Sequence, residues 1–150
     1  MPGVRVATVI DAPPDRVWQV LADVADHVDW MEDAARITFT SEQRSGEGTT
    51  FDCVTRVGPL RLTDRMEITE WEAPHAMGVR HVGAVAGTGV FTVAPRGHAA
   101  SLFTWTEELT FPWWLGGRIG ALVGRPVLER IWRRNLANLR ALVEQRVAER

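Results

Sequence analysis

Three titratable residues, Asp64, His81 and Glu107, fall on the apolar side of three alternating segments. Side chains alternate between the two faces of a strand, so each should point the same way as its apolar neighbours. These neighbours are Leu60, Leu62, Met66 and Ile68 for Asp64, Met77 and Val79 for His81, and Phe103, Trp105, Leu109 and Phe111 for Glu107. Carboxylates in an apolar wall serve as general acids or bases, and a histidine can carry the proton. An aldol-type ring closure needs such groups, because a base must enolise a β-keto unit and an acid must protonate the accepting carbonyl.

A structural interpretation of the same residues stands beside the chemical one. Charged side chains are mostly exposed, and a register slip of one residue would turn all three groups to solvent. Asp64 and Glu107 are then surface or salt-bridged residues, and His81 is a hydrogen-bonded residue of the sheet. The other histidines, His27, His75 and His98, fall at helix ends or in turns and are interpreted as surface residues. No two histidines have the i, i+4 spacing of a helical zinc site, so no metal is predicted.

The same alternation predicts an apolar inner wall around the polar groups. Cys53 takes the parity of Phe51, and Asn135 falls in the helical stripe of Leu128 and Ile131. The residues expected to contact a ligand are Phe51, Cys53, Leu62, Met66, Met77, Val79, Phe103, Trp105, Leu128, Ile131 and Asn135.

The elements that must position these residues can be read from periodicity. A β-branched run predicts a strand over residues 4–10, and prolines in a first turn predict a helix over residues 14–24, with a shorter helical piece over residues 25–33. Period-two patterns broken by turn residues predict six further strands, over residues 36–43, 49–57, 60–71, 76–82, 88–94 and 100–110. Short connections between neighbouring strands indicate an antiparallel meander. The order is α+β, with the helices on one face of a curved sheet.

The last third of the chain, residues 116–149, predicts one long amphipathic helix with a break near Pro126. It would run for roughly 45 Å, with one apolar face buried against the sheet. The apolar positions are Ile119, Leu122, Val123, Val127, Leu128, Ile131, Trp132, Leu136, Leu139, Leu142 and Val143. Its arginine-rich face from Arg118 to Arg140 is interpreted as solvated.

Composition bounds the partners and the chemistry. The 150 residues suit one domain over residues 1–150, and the net charge of -2 gives no global reason to expect nucleic acid or an anionic membrane. Without a signal-like or membrane-spanning segment, we expect a cytoplasmic protein with no stable membrane insertion. The single cysteine, Cys53, excludes an intrachain disulfide and a thiolate metal cluster. The chain has neither lysine nor tyrosine, which removes Schiff-base catalysis and a phenolic donor, and no cofactor is predicted.

Four segments, taken together, are similar to a known superfamily. Residues 9–18 read Val-Ile-Asp-Ala-Pro-Pro-Asp-Arg-Val-Trp, and the similarity continues to Trp30. The turn at Gly46 and Gly48, residues 68–74 (Ile-Thr-Glu-Trp-Glu-Ala-Pro) and residues 138–144 (Asn-Leu-Arg-Ala-Leu-Val-Glu) follow in the expected order. The chain thereby resembles the START-like (SRPBCC) superfamily, in its polyketide cyclase/dehydrase branch, over essentially its whole length.

The resemblance implies a helix-grip fold, in which a curved seven-stranded antiparallel sheet wraps around a long C-terminal helix over a hydrophobic pocket. Short helices lie between strands 1 and 2 of this fold, and Trp30 would lie at the cavity entrance. Similar members bind lipids, sterols, polyketides or plant hormones, and some act as aromatase/cyclases on poly-β-keto chains. Fold alone does not choose among these functions.

Trp113 and Trp114 form a bulky apolar segment between Pro112 and two glycines. Aromatic residues in an exposed loop indicate a lid, an interface or a membrane-touching tip, and the alternative is a core anchor for the last helix.

Three hypotheses for function follow. The first is a non-catalytic module that binds one hydrophobic or aromatic small molecule, lipid- or polyketide-like. The second is a polyketide aromatase/cyclase that uses Asp64, His81 and Glu107 as acid/base groups. The third is a regulatory or interaction module that uses Trp113 and Trp114. The lack of lysine and tyrosine, and of a dense polar cluster in the sequence, favours binding over catalysis, and the sequence leaves open whether the chain is an enzyme or forms a homodimer.

Overall fold

A computed structural model describes residues 3–149, which form one sheet, two α-helices and two 3₁₀ helices. The elements in chain order are β1 (Val4–Ile10), α1 (Pro14–Ala22), a 3₁₀ helix (Val24–Asp29), β2 (Ala34–Phe39), β3 (Thr50–Val57), β4 (Leu60–Glu72), β5 (Ala76–Val82), β6 (Ala86–Arg96), β7 (Ala100–Thr110), a second 3₁₀ helix (Trp113–Leu115) and α2 (Gly117–Ala148). The predicted order of elements is confirmed. The main differences in bounds are that β2 lies earlier than predicted and β6 is longer at both ends.

All seven strands pair antiparallel in the order β1-β7-β6-β5-β4-β3-β2. From β2 to β7 each strand lies beside the next one in the chain, and β1 closes the other edge against β7. The sheet curves around α2. The helix α1 and the first 3₁₀ helix form the connection between β1 and β2. The expected helix-grip architecture is confirmed.

The core lies between the concave face of the sheet and the C-terminal half of α2. Its fully buried members include Ile10, Leu21, Phe103 and Leu139. Period-two burial along β1 places alternate side chains on this face, as the pleat of a strand requires. A hydrogen bond connects the C-terminal part of α2 to the end of β1. Glu144 accepts it, at 2.9 Å, from the backbone N–H of Asp11, just after β1.

The helix α2 differs from the prediction in two ways. Pro126 lies inside a continuous helix and does not break it. A proline removes one backbone hydrogen bond, and on this exposed stretch water can satisfy the freed carbonyl, so the helix continues. The buried face is also shorter than predicted, because Ile119, Leu122, Val123 and Val127 are exposed.

The reason for the short buried face is geometric. A 32-residue helix is about 48 Å long, and the core covers only part of that length. Its buried residues, Trp132, Asn135, Leu136, Leu139 and Val143, all lie from the middle of the helix onward, and the stretch before Trp132 contains none. Trp113 and Trp114, which precede it, are exposed, so the core-anchor interpretation of these two residues is wrong.

No helix within residues 3–149 combines the length and the apolar character that crossing a bilayer would take.

Candidate functional site

A cavity of about 390 Å³ lies between the concave face of the sheet and α2. Its wall is mostly apolar, and its volume falls in the range of small-molecule sites. Eight of the residues expected to contact a ligand border it: Phe51, Cys53, Leu62, Met66, Met77, Val79, Trp105 and Leu128. Asp64, His81 and Glu107 border it as well. The alternation of strands β4, β5 and β7 therefore brings all three predicted titratable groups to one cavity.

The three groups form one hydrogen-bonded cluster on the cavity wall. His81 contacts Asp64 through Nδ1 and Oδ2 at 3.0 Å, and contacts Glu107 through Nε2 and Oε2 at 2.8 Å. The second carboxylate oxygen of Glu107, Oε1, accepts a 3.1 Å hydrogen bond from the indole N–H of Trp105. His81 and Glu107 are buried, and the Asp64 side chain is mostly so. The surface interpretation of Asp64 and Glu107 is therefore wrong, whereas the salt-bridged interpretation agrees with their ion pairs to His81.

A glycine in β6, Gly89, allows this cluster to form. His81 lies on β5 and Glu107 on β7, and β6 runs between them with Gly87 beside His81 and Gly89 beside Glu107. Neighbouring strands are about 4.8 Å apart, so side chains two strands apart meet only if the strand between them leaves room. A methyl group built on Gly89 would lie 2.5 Å from Glu107 Oε1. The lack of a side chain at Gly89 therefore leaves the space in which the His81–Glu107 hydrogen bond forms.

The cluster favours a positively charged His81. Burial opposes that charge, but the hydrogen bonds to Asp64 and Glu107 outweigh burial and raise the pKa of His81 to about 10. Only the imidazolium form has two N–H groups and can donate to both carboxylates at once. At neutral pH His81 is then a donor that holds two carboxylates in place, and it has no lone pair with which to act as a base.

One acceptor in this cluster is left over. Asp64 Oδ1 is buried and has no hydrogen-bond partner within residues 3–149. An unpaired buried acceptor costs free energy, on the order of 1–3 kcal/mol, which a ligand donor could recover.

A second polar group borders the cavity from the side of α2. Asp33, which lines the cavity, accepts hydrogen bonds from Asn135 Nδ2 at 2.7 Å and from Trp132 Nε1 at 3.3 Å. Asn135 is fully buried and also accepts a 2.8 Å bond from the backbone N–H of Glu32. Burial raises the pKa of Asp33, and the bonds from Asn135 and Trp132 oppose that rise. Asn135 thus fastens the segment before β2 to α2.

The two polar groups are joined by a pair of stacked indoles. The rings of Trp105 and Trp132 lie 4.7 Å apart, centroid to centroid, with 21° between their planes. Both tryptophans line the cavity, and each donates its N–H to one carboxylate, Trp105 to Glu107 and Trp132 to Asp33. The stack is part of the cavity wall, and each of its rings is hydrogen-bonded to one carboxylate.

His27 corrects another expectation, because it is buried and lines the cavity. Its Nε2 donates a 2.7 Å hydrogen bond to the Leu21 carbonyl, which leaves Nδ1 as the lone-pair nitrogen. Burial lowers the pKa of His27 to about 4, so it is neutral at pH 7. The cavity therefore holds one cationic and one neutral histidine.

Four residues expected to contact a ligand do not border the cavity: Trp30, Phe103, Ile131 and Asn135. Trp30 is buried behind the wall, edge-on to Phe103 and Trp105, and so it is not at an entrance. Phe103 is on the same face of β7 as Trp105, but it lies two residues before Trp105 in the strand and packs into the core. Cys53 does border the cavity, but burial raises the pKa of its thiol to about 12, so it is a poor nucleophile.

Several lining residues were not predicted from the sequence. Phe91 on β6 has the parity of Val93 and Gly89, so alternation along β6 was a usable signal for it. Asp33 and His27 come from irregular or 3₁₀ backbone, where no period indicates which way a side chain points. No group of three or more His, Cys, Asp or Glu within residues 3–149 is arranged to hold a metal ion.

Comparisons with known proteins give a family and a fold. The family described as polyketide cyclase / dehydrase and lipid transport matches residues 1–144. None of the curated proteins matches the chain. Among solved structures, the Zhui aromatase/cyclase from Streptomyces sp. R1128 is 20% identical with a TM-score of 0.75, covering 97% of this chain and 95% of that one.

Two further structures have the same fold. A norcoclaurine synthase point mutant from Thalictrum flavum, in complex with a transition-state analogue, is 14% identical with a TM-score of 0.73, covering 97% of this chain and 95% of that one. A conserved protein from Geobacillus kaustophilus is 12% identical with a TM-score of 0.78, and 96% of each chain is covered. At these identities the likeness concerns the fold.

Proposed function

The chain belongs to the polyketide cyclase / dehydrase and lipid transport family, and from that premise we propose that it binds one hydrophobic or aromatic small molecule in the cavity between the sheet and α2. The observation that carries the proposal is an apolar cavity of about 390 Å³ with a few convergent polar groups, the composition typical of small-molecule sites. The ligand would be a flat ring system or a short lipid-like chain of matching size.

The wall suggests how such a ligand is oriented. A flat aromatic body can pack against the stacked indoles of Trp105 and Trp132, which offer a rigid apolar face. A hydroxyl group on the ligand can donate to Asp64 Oδ1, the acceptor that has no partner within residues 3–149, once the buried side chain turns this oxygen toward the cavity. This pairing favours a phenol or enol over a pure hydrocarbon, because the buried carboxylate would otherwise remain unpaired.

The proposal is tested first by native mass spectrometry of the protein purified from its own host, where a retained small molecule gives the chemical class. Calorimetric titration with naphthol then tests the site. Val79→Phe fills the cavity, and Val82→Phe on the same strand points outward as its control. We expect Val79→Phe to weaken naphthol binding about tenfold or more, a cost of about 1.4 kcal/mol, and the control to bind like the wild type. Equal binding by both variants, or no binding by the wild-type protein, would refute the proposal.

A second candidate function is ring closure of a poly-β-ketone, and the hydrogen-bonded cluster specifically favours it. Asp64 would remove a proton from a carbon between two carbonyls, and the enolate carbon would attack a second carbonyl to form the new carbon–carbon bond. The proton held by Asp64 can then pass to the new alkoxide oxygen, so the step needs no co-reactant. His81, held cationic, would stabilise the negative charge that develops on the enolate.

This second function has its own test. Asp64→Asn removes the base, while Asp52→Asn changes an outward-facing aspartate of β3 that pairs with Arg65. With a poly-β-keto thioester as substrate, we expect the first variant to lose at least about a hundredfold in the rate of cyclised product and the second to keep it. If Asp64→Asn cyclises the substrate like the wild type, Asp64 is not the base, and binding remains as the function.

A further inference from the structure

We propose that the apolar surface beside the cavity mouth is a docking site for an anionic lipid bilayer. This surface, the mouth patch, consists of Trp113, Trp114, Ile119, Leu122, Val123 and Val127. Each of these residues is between 50 and 87% exposed, and they are six of the nine exposed large hydrophobic residues found within residues 3–149. A dense apolar patch of this kind on a folded chain marks a site of interaction with a partner or a membrane.

The patch adjoins the opening of the cavity. Val123 belongs to both the patch and the cavity wall, and Leu115, Gly120 and Gly124 beside it also line the cavity. The opposite rim contains Leu60 and Ala84, which are exposed lining residues at the β3–β4 and β5–β6 turns. The cavity therefore reaches the surface where the apolar residues are exposed. A poorly water-soluble ligand could then pass between a bilayer and the cavity without crossing water.

Charge next to the patch identifies the kind of surface. Residues 111–134 contain five arginines and one glutamate, although the whole chain has a net charge of -2. Arg130, Arg133 and Arg134 follow Ile119, Leu122 and Val123 by eleven residues, which is about three helical turns. The outward face of α2 is thus apolar for its first part and cationic about 16 Å further along. Arginines beside an apolar face are typical of segments that bind anionic bilayers.

Three of the five arginines are unpaired within the described part of the chain and available to such a surface, whereas Arg133 pairs with Glu129 and Arg134 with Glu32. Arg118, Arg125 and Arg130 form no ion pair with any residue between positions 3 and 149. Arg130, Arg133 and Arg134 also border a shallow surface depression, together with Glu129, which forms an ion pair with Arg133.

A second copy of the chain fits the patch less well. A two-fold dimer would place this surface against itself and bring the two sets of arginines together, with a single glutamate in each to offset them. The patch is also a ridge formed by one helix and the turn before it, without a groove for a partner's side chains. Trp113 and Trp114 at its end suit the headgroup region, where tryptophan is enriched.

The test is co-sedimentation of the wild-type protein with two kinds of vesicle, one of phosphatidylcholine alone and one with about one third phosphatidylglycerol. We expect binding to the anionic vesicles that weakens as salt rises. The pair of substitutions Trp113→Ser and Trp114→Ser should reduce this binding about tenfold or more. Arg130→Glu should reduce it by a similar factor, since each cation near an anionic surface contributes about a fivefold gain. None of these three residues lines the cavity.

Matched controls separate the patch from a general effect. Arg96→Glu makes the same charge change at the β6–β7 turn, at the opposite end of β6 from the mouth, and Val9→Ser removes an exposed apolar residue on β1. Both should bind vesicles like the wild type. Equal binding by the patch variants and the controls overturns the proposal, and so does self-association through the patch in sedimentation velocity. The proposal is also overturned if the wild-type protein binds neither kind of vesicle. In that case an acidic protein becomes the candidate partner of the patch. The assay uses no small-molecule ligand, so its failure is distinct from failure of the proposed function.

Discussion

His81 on β5 and Glu107 on β7 form a 2.8 Å hydrogen bond across the strand that separates them. The bond exists because β6 presents a glycine, Gly89, directly beside Glu107 in register, where any side chain would meet the Glu107 carboxylate. The geometry of the cluster thus depends on a residue that has no functional group of its own.

We therefore expect Gly89→Ala to displace the Glu107 carboxylate, since the new methyl group would lie 2.5 Å from Oε1. His81 then loses one of its two acceptors, and its pKa should fall toward the ordinary value. Histidine titration by NMR measures this, and unfolding should show a loss of about 1.5–3 kcal/mol. Gly124→Ala is the control, because its methyl group meets only Phe111 at 3.7 Å. An unchanged His81 pKa in Gly89→Ala would contradict the role of the glycine.

The pKa of His81 also makes a prediction about stability at high pH. Its folded value of about 10 lies above the ordinary 6.5, so its contribution to stability is complete below about pH 6.5 and is lost as pH rises toward 10. Urea unfolding between these limits should show the wild-type protein losing stability by a few kcal/mol. His81→Gln should give a flatter profile, and parallel profiles for the two proteins would rule out a charged His81.

His27 predicts the opposite slope at low pH. Its folded pKa of about 4 lies below the ordinary 6.5, so the unfolded chain takes up a proton first and stability falls as pH drops from about 6.5 to 4. The difference in unfolding free energy between the wild-type protein and His27→Gln isolates this contribution from the carboxylates that titrate in the same range. A difference that does not vary with pH would mean that His27 is not buried in the neutral form.

Asn135 predicts a large cost on substitution. Asn135→Leu keeps the volume but removes one of the two side-chain hydrogen bonds to Asp33, which keeps the one from Trp132, and leaves the Glu32 N–H without its partner in a partly buried site. We expect a loss of about 2–4 kcal/mol in unfolding free energy, since each unsatisfied buried group costs about 1–3 kcal/mol. Ala137→Leu, an exposed change on the same helix, should be nearly neutral. A loss below about 1 kcal/mol would show that water satisfies both groups.

The strands and their inward faces were predictable because a strand repeats every two residues. That period was enough to place Asp64, His81 and Glu107 in one cavity, although their separation along the chain gave no distance between them. The contacts of His27 and Asp33 were not predictable, since irregular backbone has no period. The exposed first half of the continuous helix α2 was not predictable either. An apolar stripe indicates which face of a helix can be buried, but not how far along the helix the surface that buries it extends.

The stacked indoles of Trp105 and Trp132 also give the protein a built-in optical signal. Two aromatic chromophores 4.7 Å apart couple their electronic transitions, which produces paired bands of opposite sign in circular dichroism. Since both rings form part of the cavity wall, a guest that touches or separates them should change these bands. Ligand occupancy of the cavity could then be followed in solution without a label. The signal would be distinct from any change at the exposed tryptophans, Trp113 and Trp114.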